Sequence, residues 1–133
     1  MKKDDPFETT LMARGYEMDA FGHVNNAVYV QYFEHCRWMA FRELGDDWLG
    51  GGELSVVVKK LEVEYQAPVR VFDELVGRVW VESVGRTSMT LGQELVGADD
   101  GKPVAQATIV AVCIERASGK PHPVPQMWHE IEP

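Results

Sequence analysis

The sequence predicts an α+β fold in which one long helix packs against a single antiparallel sheet. Three observations carry this. Asn26 to Leu44 contains neither proline nor glycine, and its apolar residues recur at three- and four-residue spacing. Beyond the glycines that follow, the period changes to two, and four consecutive strand-like segments follow, the last of them apolar on both faces. Proline, Gly-Arg and Asp-Gly signals separate those segments, and no second helical pattern lies among them. With 133 residues and 45% hydrophobic content, the chain 1–133 reads as a single domain able to bury a core.

In chain order, Phe7 to Tyr16 reads as a first strand. The helix follows a turn and starts at Asn25 or Asn26, either of which can cap it. Val28, Tyr32, Cys36, Met39 and Ala40 form its apolar stripe, and Val30, Phe33, Trp38, Phe41 and Leu44 widen it. A helix this apolar is expected to be covered on most sides. Gly45 suits its end, and Arg42 lies in the last turn, where a cation favours the dipole. Gly50-Gly51-Gly52 reads as a flexible loop. The next strand runs to Tyr65, with Val57, Leu61, Val63 and Tyr65 on one face and Lys60, Glu62, Glu64 and Gln66 on the other; Pro68 ends it. Leu75 to Val84, Ser88 to Val96 and Val104 to Glu115 are the remaining strands, with Gly85-Arg86 and Asp99-Asp100-Gly101-Lys102 as turns. Ala105, Ala107 and Ala111 share a face that a helix could approach closely. After three prolines, Pro125 can open a short helix through Ile131.

The composition limits the function. A net charge of −8 argues against nucleic acid as a partner, which requires a basic footprint. No apolar run is long enough for a bilayer, and no secretory leader follows Met1, so a cytoplasmic protein without membrane attachment is expected. Cys36 and Cys113 sit in apolar patterns and read as buried reduced thiols. The four histidines have no metal-ligand spacing, so no metal is expected.

The chemistry concentrates in Asp19-Ala20-Phe21-Gly22-His23-Val24-Asn25-Asn26. A carboxylate lies in a glycine-containing turn that opens directly into the helix, whose N-terminal N–H groups carry partial positive charge. Asp19 can be a turn or capping residue, or half of a site in which the helix end holds an oxyanion. Read from spacing alone, the capping role is favoured. His23 divides evenly between fixing the turn and touching a substrate.

The order of elements, the block Asp19-x-x-Gly22-His23-Val24-Asn25-Asn26 with its extension from Tyr29 to Arg37, and the turn Gly85-Arg86-Thr87-Ser88-Met89 resemble the hotdog-fold acyl-CoA thioesterases of the 4-hydroxybenzoyl-CoA thioesterase type. The resemblance spans roughly Phe7 to Glu115. It implies a curved antiparallel sheet wrapped around a long central helix, and a homodimer or homotetramer with active sites at the subunit interface. It places the catalytic carboxylate on Asp19, as nucleophile or general base, and the oxyanion-holding amide around Asn25 or Asn26. It puts the nucleotide of coenzyme A near Arg86, Thr87 and Ser88, with Lys59 and Lys60 as weaker candidates, and Tyr29 near the substrate. Coenzyme A then enters as part of the substrate, with no metal or prosthetic group. Thioester carbonyls have little resonance stabilisation, so one carboxylate and a preorganised dipole can suffice, and no Ser-His-Asp arrangement is evident. The main alternative is a hotdog protein that binds acyl-CoA without hydrolysing it. A hydratase built on His23 and Glu34 fits the spacing poorly, and a ligand-free structural oligomer is the third reading.

Overall fold

The computed structural model describes residues 1–45 and 52–133. Five strands form one antiparallel sheet: β1 (Phe7–Met12), β2 (Leu54–Tyr65), β3 (Glu74–Val84), β4 (Ser88–Gly97) and β5 (Pro103–Glu115). Their spatial order is β1-β3-β4-β5-β2, which leaves β1 and β2 as the edges. Helix α1 (Asn26–Leu44) lies across the concave face, and a short α2 (Gln126–Glu130) follows the proline-rich segment.

The first strand is shorter than its sequence suggests. It ends at Met12, and Gly15–Glu17 form a 3-10 turn in which the Glu17 N–H donates to the Arg14 carbonyl at 3.0 Å. Ala13 then joins the loop before β3 through bonds with Asp73 and Phe72. The Gly50-Gly51-Gly52 loop falls mostly on residues outside those described; Gly52 itself takes a positive φ of 92°.

Helix α1 has the predicted bounds. Asn25 caps it, its side-chain oxygen accepting the Ala27 N–H at 2.9 Å, and Gly45 ends it at φ 96°. Its buried side is Tyr29, Tyr32, Phe33, Cys36 and Ala40, packed on β1, β3 and β4. The expectation of cover on most sides fails within one chain: Gln31, Glu34, His35 and Trp38 are exposed, Trp38 by 65%. The close approach also lies elsewhere than expected. It is made at Gly77 of β3, where a Cβ would collide with Cys36 Sγ, rather than along the alanines of β5. A buried amide pins the helix to β4: Gln93 donates to the Phe33 carbonyl at 2.9 Å and accepts from the half-buried Arg37 guanidinium at 2.9 Å.

Strand β2 departs from simple alternation. Its register against β5 shifts between Val58 and Lys60, leaving Lys59 as a bulge. Directly opposed residues share a face, so Val57, opposite Val112, looks outward, whereas Val58, Leu61, Val63 and Tyr65 oppose Ala111, Ile109, Ala107 and Ala105 on the concave side. The expected grouping of Val57 with Leu61 is thereby corrected; one extra residue exchanges the faces. Because α1 sits over the other half of the sheet, Val58 and Tyr65 stay nearly half exposed.

The C-terminal segment is tied down. His122 N–H donates to the Cys113 carbonyl and Val124 N–H to that of Arg86, both at 2.9 Å, and Trp128 of α2 is fully buried. Cys36 and Cys113 are buried free thiols. Among the described residues, no helix is long and apolar enough to cross a membrane, and no group of three or more His, Cys, Asp or Glu side chains could hold a metal ion.

Candidate active site

The turn after the 3-10 segment closes on itself. Asp19 N–H donates to the His23 carbonyl at 2.7 Å, and Gly22, at φ 77°, returns its N–H to the Asp19 carbonyl at 3.2 Å. The Asp19 carboxylate takes part through one oxygen only: Oδ1 accepts the N–H groups of Phe21 at 2.8 Å and His23 at 3.2 Å. Oδ2 has no partner among the described residues. The turn is anchored at Val24, whose N–H donates to the Val69 carbonyl at 2.8 Å.

Beside this turn lies a cleft of about 290 Å³, lined by Asp19, His23, Val24, Asn26, Tyr29, Tyr65 and the Gln66–Pro68 segment. Three separate elements thus meet there: the turn, the first turn of α1 and the end of β2. Tyr65 donates its hydroxyl to the Asn26 carbonyl at 2.8 Å and meets Tyr29 edge to face, ring centroids 5.0 Å apart. Tyr29 reaches the Ala67 carbonyl at 3.3 Å, and burial raises its phenol pKa, so it stays a neutral donor.

The helix start sorts its own amides. Asn25 N–H donates to the Glu17 carbonyl at 2.9 Å, Ala27 N–H to the Asn25 side chain, and Val28 N–H to the Asn25 carbonyl. The Asn26 N–H has no acceptor among the described residues. An N–H with partial positive charge and an unpartnered carboxylate oxygen therefore belong to residues that line one cleft. Such a pair can polarise a carbonyl while delivering a base or nucleophile to its carbon.

Asp19, His23, Asn26 and Tyr29 are brought together, with Asn25 as the cap beside them. The other candidates are not. Arg86, Thr87 and Ser88 occupy the β3–β4 turn, and Ser88 opposes Val112, which in turn opposes Val57. From Val57 to Tyr65 the strand spans about 26 Å at about 3.3 Å per residue, so this turn and the cleft lie at opposite ends of the sheet. Lys59 is the bulge residue, and Lys60 points outward to Glu62 at 2.9 Å. Tyr65 also lines the cleft. One residue beside the site went unnoticed in the sequence. Glu17 is buried beneath the turn, where no periodicity marks it.

Comparison with known proteins agrees with this architecture. The family model of the thioesterase-like superfamily matches residues 14–130. The chain belongs to that superfamily. Among its relatives, the long-chain acyl-CoA thioesterase FadM of Escherichia coli K12 is 29% identical over 85% of this chain and 86% of its own length. The acyl-CoA thioester hydrolase YbgC of Escherichia coli O6:H1 is 30% identical over 83% of each. A solved thioesterase of Thermus thermophilus, complexed with coenzyme A and zinc, superposes with a TM-score of 0.79 at 31% identity, covering 93% of this chain and 94% of that one. The thioesterase-like fold seen here, a helix cradled by a curved antiparallel sheet, is the hotdog arrangement that the turn motif implied. As a member of the superfamily the chain is a thioester hydrolase.

Proposed function

We propose that the protein hydrolyses acyl-CoA thioesters, with Asp19 as the catalytic carboxylate and the Asn26 N–H as oxyanion donor. The observation that carries this reading is the shared cleft, which holds one carboxylate oxygen and one helix-terminal amide that have no partner among the described residues. The thioester carbonyl oxygen sits at the Asn26 N–H. With Asp19 as general base, its carboxylate takes a proton from water, the hydroxide adds to the carbonyl carbon, and the C–S bond breaks to release coenzyme A thiolate. With Asp19 as nucleophile, its oxygen adds instead, the thiolate leaves from a mixed anhydride, and water then cleaves the anhydride. Neither route as written uses a metal or prosthetic group. The acyl-CoA relatives FadM and YbgC support the substrate class.

The same reading includes a second copy. Strand β2 is a sheet edge whose concave side is apolar and uncovered by its own helix. A long apolar edge is a template for pairing. Antiparallel pairing of β2 with its symmetry mate sets the far end of one sheet beside the cleft of the other. The partner's Arg86 then lies about three strand spacings, some 14 Å, from the β2 end that bears Tyr65. An extended nucleotide thioester can bridge that separation, and within one chain it cannot.

Thiol release from a panel of aliphatic and aromatic acyl-CoAs, comparing wild type with Asp19→Asn, tests the proposal. Removing the carboxylate abolishes turnover while leaving binding. Turnover retained by the variant refutes Asp19; binding without turnover in the wild type would identify a non-catalytic acyl-CoA binder. In a single turnover in ¹⁸O water, label in the Asp19 carboxylate identifies the anhydride route with water adding at the aspartyl carbonyl, because the general-base route puts the label in the product acid alone.

A further inference from the structure

Beneath the Asp19 turn lies a carboxylate that the proposed chemistry does not use. Glu17 is 8% exposed and, with Gln93, is one of two buried residues with a charged or amide side chain among the described residues. Its Oε1 accepts the Arg14 N–H at 2.8 Å and the Tyr32 hydroxyl at 2.7 Å, and its Oε2 receives the Arg14 guanidinium at 3.3 Å. Its carbonyl accepts the N–H of Asn25, the helix cap. Burying a carboxylate is unfavourable unless such bonds replace its water.

The placement of these bonds is specific. The Asp19–His23 turn is closed by its own hydrogen bonds, so it moves as a unit. Its tilt against α1 is set by what ties it to the helix. Glu17, two residues before Asp19, supplies both ties: a backbone bond to the cap and a side-chain bond to Tyr32, nearly two turns along the helix. We propose that Glu17, joined to Tyr32, is a positioning residue for thioester hydrolysis, fixing the Asp19 carboxylate relative to the Asn26 N–H. This rests on the roles given to those two groups above. Burial and the Glu17 bond both raise the Tyr32 phenol pKa, which keeps its hydroxyl a donor across the working pH range.

The test compares Tyr32→Phe, Glu17→Ala and Glu17→Gln by kcat, KM and amide hydrogen exchange, below the unfolding midpoint of every variant. Tyr32→Phe lowers kcat about tenfold or more, as expected when a reacting group is displaced by a fraction of an ångström, with KM within about twofold. Amides of residues 18–26 exchange faster while those of β3, β4 and β5 keep wild-type protection. Glu17→Gln retains most of kcat, because an amide oxygen at Oε1 still accepts from both Arg14 N–H and Tyr32. The double variant Glu17→Ala with Tyr32→Phe is no slower than Glu17→Ala alone. Wild-type kcat in Tyr32→Phe overturns the proposal. So does a loss accompanied by uniform loosening of the sheet, or a Glu17→Gln variant as slow as Glu17→Ala. Asp19→Asn, assayed alongside, separates the two readings. If it still turns over, the role of Asp19 fails and the positioning role fails with it. If it is inactive while Tyr32→Phe is unchanged, only the Glu17 role falls.

Discussion

Gly77→Ala tests how closely the helix and sheet fit. The added methyl overlaps Cys36 Sγ, a fully buried atom, and sits 3.5 Å from Leu95 Cδ2. Overpacking of this kind costs about 1–3 kcal/mol, and the direct overlap puts this case at about 2–3. The structure also supplies the compensating change. Once Cys36→Ala removes the sulfur, the nearest remaining atom of residue 36 is Cβ at 3.6 Å, an ordinary contact. Cys36→Ala alone leaves a small void costing about 1 kcal/mol. The double variant places a methyl where the sulfur was and lands within about 1 kcal/mol of wild type, a coupling of at least about 2 kcal/mol. For a chain of 133 residues, 1 kcal/mol moves the midpoint by about 3–4 °C, so Gly77→Ala melts about 6–12 °C lower and the double variant recovers most of that. Urea titrations of all four proteins give the cycle directly. Additive losses in the double variant would refute the claim that Gly77 sets the spacing between α1 and β3.

Three further outcomes are expected. Burial pushes the Cys36 thiol up to about 12, against about 8.5 for an unfolded cysteine, so the folded state holds a proton that the unfolded chain releases. Its share of stability is complete below the unfolded pKa and is lost as pH rises toward 12; urea midpoints therefore fall through this window, and less steeply in Cys36→Ala. Gln93→Leu removes the acceptor of a guanidinium whose own pKa is already lowered by burial, and destabilises by about 1–3 kcal/mol in urea titration. Leu61→Arg places a charge on the concave side of the β2 edge; sedimentation reads a shift to monomer and thiol release a loss of activity, with monomer folding retained by circular dichroism.

The long helix was legible because its signal is long and locally marked: nineteen residues without a breaker, an asparagine before and a glycine after. The strands were legible as alternating or apolar runs bounded by turn signals, each to within a few residues. What sequence could not show is where one element meets another. The β2 bulge at Lys59 leaves no compositional mark, yet it exchanges the faces of Val57 and Leu61. Gly77 looks like any strand glycine until Cys36 is placed above it. The motif drew attention to Asp19, but only the fold separates the Asn25 amide, bonded to Glu17, from the Asn26 amide, which has no acceptor among the described residues. Glu17 has no mark in the sequence, because the Tyr32 hydroxyl that meets it lies fifteen residues away.

The way Asp19 is held bears on how this site can diversify. Its Oδ1 is gripped by main-chain amides, one of them from Phe21, while the Phe21 side chain is 84% exposed and Ala20 is exposed too. Main-chain donors persist whatever side chains they carry. Apart from Gly22, whose positive φ restricts it, the rim of the turn is free to drift without disturbing the carboxylate. Selection, or a saturation library at positions 20 and 21, can thus change the exposed surface of the turn next to the cleft while the Asp19 carboxylate keeps its geometry.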